Sequence, residues 1–317
     1  MNSSEILGVT DAEMRCPLSG AAKAIAMIDG AAMIVIGTEE CTYYTVATLG
    51  MRANTKSCHS FVLDSGDVTF GCADRVAEMI DKVMTQSRPQ SLFLVTTCVV
   101  EITGEDYTAV ALDAEARYGV PVRVVQTCHF RGKGDDHGWE SVQKAAAPFA
   151  PLPSMGAMLL QRLKMKFAGE KRGQQSNSVD LPQPSYRMGL LWTLLEESND
   201  LVLEYGTAGT TAYLMKTMMM RGVDVSDRLF TTGLSENEVV MGDVTKLENA
   251  IKKLDESYSP RRIYILSSAV SEVTGADVKG VCNYMQMEVK AEILPITGNG
   301  FGGSFDDGVA AARNHIG

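Results

Sequence analysis

The chain has 317 residues, 45% of them hydrophobic and 21% charged, which is ample for buried cores and, at roughly 100–200 residues per domain, suits about two domains. Its formal net charge of −10, from 29 Lys and Arg against 39 Asp and Glu, argues against nucleic acid as the main partner, because phosphate binding needs a basic face. No run reaches the ~18 apolar residues of a membrane span, and the start MNSSEILGVTDAEMRC lacks the basic and apolar regions of a signal peptide; a cytoplasmic chain that does not engage a membrane is expected.

In chain order, Cys16 precedes Pro-Leu-Ser-Gly-Ala at the predicted start of a helix, and Cys41 closes a strand in AAMIVIGTEEC (31–41). CADRVAEMIDKVMTQS (72–87) has helical period and places Val76, Met79, Ile80 and Val83 on one face. SLFLVTT (91–97) reads as a buried parallel strand ending at Cys98. DYTAVALDAEARYG (106–119) reads as a helix and VPVRVVQT (120–127) as the next strand. This alternation predicts α/β units around a parallel sheet. Residues 148–186 break the rhythm: PFAPLP and LPQP bracket a basic helical piece and a polar run, the pattern of a linker.

The pattern then restarts. TTCVVEITGED (96–106) returns as SSAVSEVTGAD (267–277), pairing Glu101 with Glu272, Gly104 with Gly275 and Asp106 with Asp277, each 171 residues apart. The same offset of 171 joins Gly71 to Gly242, Pro89 to Pro260, Phe130 to Phe301 and Gly132 to Gly303, while GTEECTYYT (37–45) matches GTAGTTAYL (206–214) at 169. Several blocks in register imply a duplication. The predicted organisation is two tandem Rossmann-like parallel-sheet domains: a cysteine-bearing domain (1–147), the linker (148–186) and a cysteine-poor repeat (187–317). Two like domains tend to pack about a pseudo-two-fold.

Six of the seven cysteines precede residue 129, and no CxxC pair occurs. In the second copy Cys41 faces Thr210, Cys98 faces Ala269 and Cys16 falls near Ser185. A packing role would have kept apolar residues in both copies. Cys41 and Cys98 follow strands whose carboxyl ends gather ligands in open parallel sheets, and grouped soft thiolates suit an iron–sulfur cluster or zinc. Clusters usually take four protein ligands, so a fourth is sought among Cys72, Cys128, Glu39, Glu40 and a second subunit. Two carboxylates beside Cys41 would lower the potential of a nearby cluster.

Weaker features have plainer readings. Cys58-His59 suits a structural or surface role, and Cys128-His129 lies nearer the presumed ligand edge. Glu101 and Glu272 suit helix starts, and MKTMMMRG (215–222) suits a plastic core or interface helix. NGFGGSFDDG (299–308) reads as a loop shared with CHFRGKGDDHG (128–138) rather than as a phosphate site.

CPLSGA (16–21), GTEEC (37–41), GDVTFGC (66–72) and above all SRPQSLFLVTTCVVEITGEDYTAV (87–110) are similar to segments of the component 1 proteins of nitrogenase and nitrogenase-like oxidoreductases. The resemblance implies that Cys16, Cys41 and Cys98 bind an iron–sulfur cluster between two related units, a 4Fe–4S cluster in the relatives that reduce tetrapyrroles and half of a larger cluster in nitrogenase itself. It also implies an ATP-dependent iron–sulfur reductase as electron donor, and pairing as a homodimer or with a second component 1-like subunit. No GxxxxGK[ST] loop occurs, so ATP chemistry is expected on another protein. Family subunits normally have three α/β domains around a central cavity; here two copies resemble the first, and reduction of dinitrogen is not expected. The primary expectation is a redox protein that accepts electrons and delivers them to a substrate or subunit. The alternative is a scaffold that assembles or carries a metal cluster without turnover.

Overall fold

A computed structural model of the protein describes residues 7, 9, 14–50, 58–129, 132, 134–154, 156–157, 183–297 and 300–317. The greater part of the expected linker, 148–186, and Phe130 of the repeat lie outside the described residues.

The first half runs α1 (Pro17–Ile25), β1 (Ala31–Gly37), α2 (Glu39–Gly50), β2 (Cys58–Val62), α3 (Ser65–Phe70), α4 (Ala73–Ser87), β3 (Ser91–Thr96), α5 (Cys98–Thr103), α6 (Thr108–Tyr118), β4 (Val122–Gln126) and α7 (Gly134–Ala146). The second half repeats it as α8 (Tyr186–Glu197), β5 (Leu201–Tyr205), α9 (Ala208–Met220), β6 (Leu229–Thr231), α10 (Glu236–Met241), α11 (Thr245–Tyr258), β7 (Arg262–Ser267), α12 (Ala269–Val273), α13 (Val278–Met285), β8 (Glu292–Ile296) and α14 (Phe305–Ile316). Each half holds a four-stranded sheet, ordered β2-β1-β3-β4 in the first and β6-β5-β7-β8 in the second. All the pairings are parallel.

The central strands are buried on both faces, as parallel strands under helices must be: every residue of β3 is buried, and β1 is buried from Ala32 onward. Helix α4 presents Val76, Ile80, Val83 and Met84 to the core, each worth about 1.5–3 kcal/mol on leaving water, while Met79 is only half-buried. The predicted elements fall where the periodicity put them, but Cys41 does not close a strand. β1 ends at Gly37, and Cys41 lies in the first turn of α2.

The duplication extends to backbone detail. Helices α4 and α11 end on the left-handed non-glycine residues Arg88 (φ 44°) and Ser259 (φ 46°), which are equivalent at the 171 offset. Capping boxes at Asp64–Asp67 and Ser235–Glu238 start the equivalent helices α3 and α10. Helices α1 and α7 cross so closely that a Cβ on Gly20 would collide with the Asp135 carbonyl and one on Gly138 with that of Pro17. Helices α8 and α14 repeat the crossing, Gly189 against the Phe305 carbonyl and Gly308 against that of Tyr186. This crossing sets the position of the α1 N-terminus, and so of Cys16.

Equivalent residues also meet across the junction of the halves. Tyr44 stacks on its counterpart Tyr213 with ring centroids 5.7 Å apart and planes at 4°. Helix α2 packs on its counterpart α9, and α5 on α12. Contacts between equivalents are the mark of a pseudo-two-fold axis, here within one chain. Much of the core around β1, β3, β5 and β7 forms one continuous apolar cluster spanning both halves. Among the described residues, no helix is long and apolar enough to cross a membrane.

Candidate metal-cluster site

In each sheet the chain leaves the first strand for one edge and returns to build the other, so the carboxyl ends of β1 and β3 flank a topological switch point. Cys41 lies just beyond β1, and Cys98 is the first residue of α5, immediately after β3. Cys16 is the N-cap of α1. All three therefore stand at helix N-termini, where backbone N–H groups and the helix dipole favour negative charge.

The three cysteines line one cavity together with Leu18, Thr38, Glu40, Thr97, Val99 and His129 of the first half and Thr207, Gly209, Thr210, Tyr213, Ser268, Ala269 and Val270 of the second. Most of these residues are pseudo-symmetric pairs: Thr38 with Thr207, Glu40 with Gly209, Cys41 with Thr210, Thr97 with Ser268, Cys98 with Ala269 and Val99 with Val270. The cavity thus sits on the internal axis. The first half supplies the thiols, and the second supplies small hydroxyl and methyl groups opposite them. Gly209 makes room for Cys16, since a Cβ there would lie 3.0 Å from the Cys16 Cβ and 3.3 Å from its Sγ.

Burial disfavours charge on these thiols. It pushes Cys16 up to about 12, with the neighbouring Cys41 adding to the rise and the Leu18 and Ser19 amides opposing it. Cys41 is pushed up to about 11 by burial, against the pull of the Thr38 hydroxyl, which accepts the Cys41 N–H at 3.4 Å. Cys98 is raised well above the ordinary thiol value by its hydrogen bond with Cys128 and by burial, while the His129 N–H donates to its Sγ at 3.3 Å. Three half-buried thiolates side by side need cationic partners, and bound iron would supply them. Binding would displace the thiol protons.

Behind Cys41 lies a buried ion network. Arg187 on α8 pairs with Glu40 of the first half, Nε to Oε1 at 3.0 Å, and with Glu204 of the second half; it also donates to the Ser267 carbonyl. Glu204 accepts from Thr211 as well. Burial pushes Glu40 up to about 7 against the pull of Arg187. The expectation that bare carboxylates beside Cys41 make the site more negative is therefore corrected for Glu40, whose charge is offset by Arg187. Sequence reasoning missed Arg187, which sits in an otherwise apolar helical run and shows its partners only once the halves dock.

Among the candidates for a fourth ligand, Cys72 is the N-cap of α4, and its thiol is bonded to the Tyr107 hydroxyl at 3.1 Å in the core. Cys128 is buried behind Cys98, outside the cavity lining. Glu39 is half-buried and does not line the cavity, and neither do Cys58 and His59 on β2. Glu101 and Glu272 lie in the first turns of α5 and α12, as helix-start residues should, and Glu272 accepts the Gly300 N–H at 2.9 Å. The methionine run ends α9 with Met218 buried and Met219 and Met220 exposed.

Among the described residues, no three His, Cys, Asp or Glu side chains stand close enough to hold a single metal ion. In a polynuclear cluster each iron takes its own thiolate, which spreads the ligands further apart. Soft donors, helix N-termini and a cavity on the axis walled by both halves fit such a group.

The fold and site together define a duplicated parallel α/β protein with a thiol-lined cavity at the junction of its halves. The profile of the nitrogenase component 1 type oxidoreductases matches residues 16–166 and 185–317. The chain belongs to that family. Among curated proteins it is similar to the nitrogenase iron-molybdenum cofactor biosynthesis protein NifE of Methanosarcina barkeri, at 30% identity over 112 residues, covering 35% of this chain and 24% of that protein. The NifE of Methanococcus maripaludis is 28% identical over 181 residues, covering 54% of this chain and 37% of that one. The chain thus spans well under half the length of these relatives. A solved structure titled "Nitrogenase Cp1 at pH 5" aligns with 95% of this chain and 50% of its own at 17% identity, with a TM-score of 0.38.

Proposed function

We propose that the chain carries an iron–sulfur cluster on Cys16, Cys41 and Cys98 and serves as a scaffold on which a metal–sulfur cluster is assembled or matured before transfer. The observation that carries this reading is the convergence of three thiols from one half on a cavity closed by the thiol-free surface of the other half. In the family resemblance the cluster lies between two related subunits. Here the second half takes that place, so one chain supplies both walls.

The curated relatives bear the name of a cofactor biosynthesis protein, which favours assembly over the expected role of electron acceptor. Electron delivery by an ATP-dependent iron–sulfur reductase remains part of the reading, as the step that sets the oxidation state of the cargo. Pairing with a second copy or a related subunit is likewise part of it. When bound, the cluster supplies one-electron chemistry and exchangeable iron. The chain's own residues hold it at three helix N-termini, keep water out with Leu18, Val99 and Val270, and offset the Glu40 charge with Arg187.

Anaerobic purification tests the proposal. A brown chromophore with iron and sulfide that passes to an apo-acceptor protein is expected. A cluster that stays put and only cycles with reductase and ATP would restore the electron-acceptor role. Colourless protein carrying zinc would reject both.

A further inference from the structure

Three thiols leave a cluster one ligand short, and the cavity holds two further first-half side chains able to bind iron strongly, Glu40 and His129. Glu40 is committed to Arg187. The second-half wall offers only hydroxyls, of which Ser268 is spent in the capping box of α12. His129 is 4% exposed, follows β4 at the ligand edge of the sheet, and has its backbone fastened to a ligand through the 3.3 Å N–H···Sγ bond to Cys98.

The two halves differ here in the same sense as at the cysteines. The residue equivalent to His129 at the 171 offset is Gly300, where a Cβ would lie 2.6 Å from the Glu272 carboxylate and 3.2 Å from the Ala269 Cα. Where the first half pairs Cys98 with an imidazole, the second pairs Ala269 with a glycine. The imidazole thus accompanies the thiols in the first copy and is absent with them from the second.

We propose that the His129 imidazole is the fourth ligand of the cluster, completing a three-cysteine, one-histidine set drawn wholly from the first half. The proposal rests on the cluster-carrying reading above. An imidazole in place of a thiolate removes one negative charge from the cluster and raises its potential, as histidine ligation does in two-iron centres. A neutral, exchangeable ligand at one corner also suits a cargo that must leave.

The test uses the full chain reconstituted anaerobically with iron and sulfide, reduced to its paramagnetic state and labelled with ring-15N histidine. Pulsed electron paramagnetic resonance should show the strong coupling of a directly bonded nitrogen. His129→Ala should abolish that coupling and speed iron loss to a chelator by about tenfold or more. His129→Cys should retain iron and sulfide, lack the coupling and shift the midpoint potential downward. A wild-type cluster that depends on Cys98 but shows no strong nitrogen coupling, or a coupling that survives in His129→Ala, overturns the assignment and leaves the three-cysteine reading intact. A wild-type chain that binds no cluster overturns both.

Discussion

The two halves share strand order, capping boxes, left-handed helix ends and glycine crossings, yet around the axis they part company. Cys41 meets Thr210, Cys98 meets Ala269, and Glu40 meets Gly209. A duplicated chain is its own control. Features common to both copies report what the fold needs, such as Glu101 and Glu272 in equivalent first turns. Features confined to one copy mark candidates for the site, and the thiols and His129 belong to that group.

The sharpest way to break the comparison is at the equivalent pair Cys98 and Ala269. Cys98→Ala is expected to lose most of the bound iron, and Ala269→Ser to lose none, as measured by iron and sulfide content with electron paramagnetic resonance. Full retention in Cys98→Ala would remove that residue from the ligand set.

Next in size is Arg187, whose counterpart is Leu18. Arg187→Leu makes the second copy resemble the first but leaves Glu40 and Glu204 buried without their cation. It should destabilise the chain by about 3–5 kcal/mol in denaturant melts, with part of the loss recovered on adding Glu204→Gln. An unchanged midpoint would show that the network contributes nothing.

The glycine crossings predict equality rather than contrast. Gly138→Ala and Gly308→Ala each press a methyl group into a carbonyl of the facing helix, and each should destabilise by about 3 kcal/mol. Only Gly138→Ala should also weaken iron binding, because only its helix pair carries one of the proposed ligands, Cys16. Gly209→Ala is milder: a methyl group 3.3 Å from the Cys16 Sγ should lower iron occupancy while shifting the melting midpoint little.

The smallest expected effect is a pH dependence at Asp64. Its carboxyl is held below the ordinary carboxylate value, first by the Asp67 N–H and then by Arg75. A depressed folded-state value means that the stabilisation is complete above the unfolded value and is lost as pH falls through the folded one. Asp64→Asn should therefore flatten the acid limb of the stability profile and leave the neutral region little changed. An identical acid limb would exclude Asp64 as a contributor.

Local pattern determined a good deal of this molecule. The apolar runs of β1 and β3 and the four-residue spacing of Val76 and Ile80 on α4 are legible because burial on a strand or helix face imposes its own period on the sequence. The duplication is legible because equivalent turns need equivalent residues, as Gly104 and Gly275, both at positive φ, illustrate. The cysteine trio stands out for the opposite reason, because the second copy folds without it.

Only the tertiary structure decided which side chains meet. The Arg187–Glu40 pair joins residues 147 positions apart in the chain, and no periodicity records it. Cys72 and Cys128 are equal candidates for a fourth ligand in the sequence, and His129 is only a neighbour of the presumed ligand edge there. One bonds a tyrosine in the core, one lies behind Cys98, and one lines the cavity. Donor type is a property of the residue, whereas convergence depends on how two sheets dock about an axis, and that docking is settled by the summed packing of both halves rather than by any segment alone.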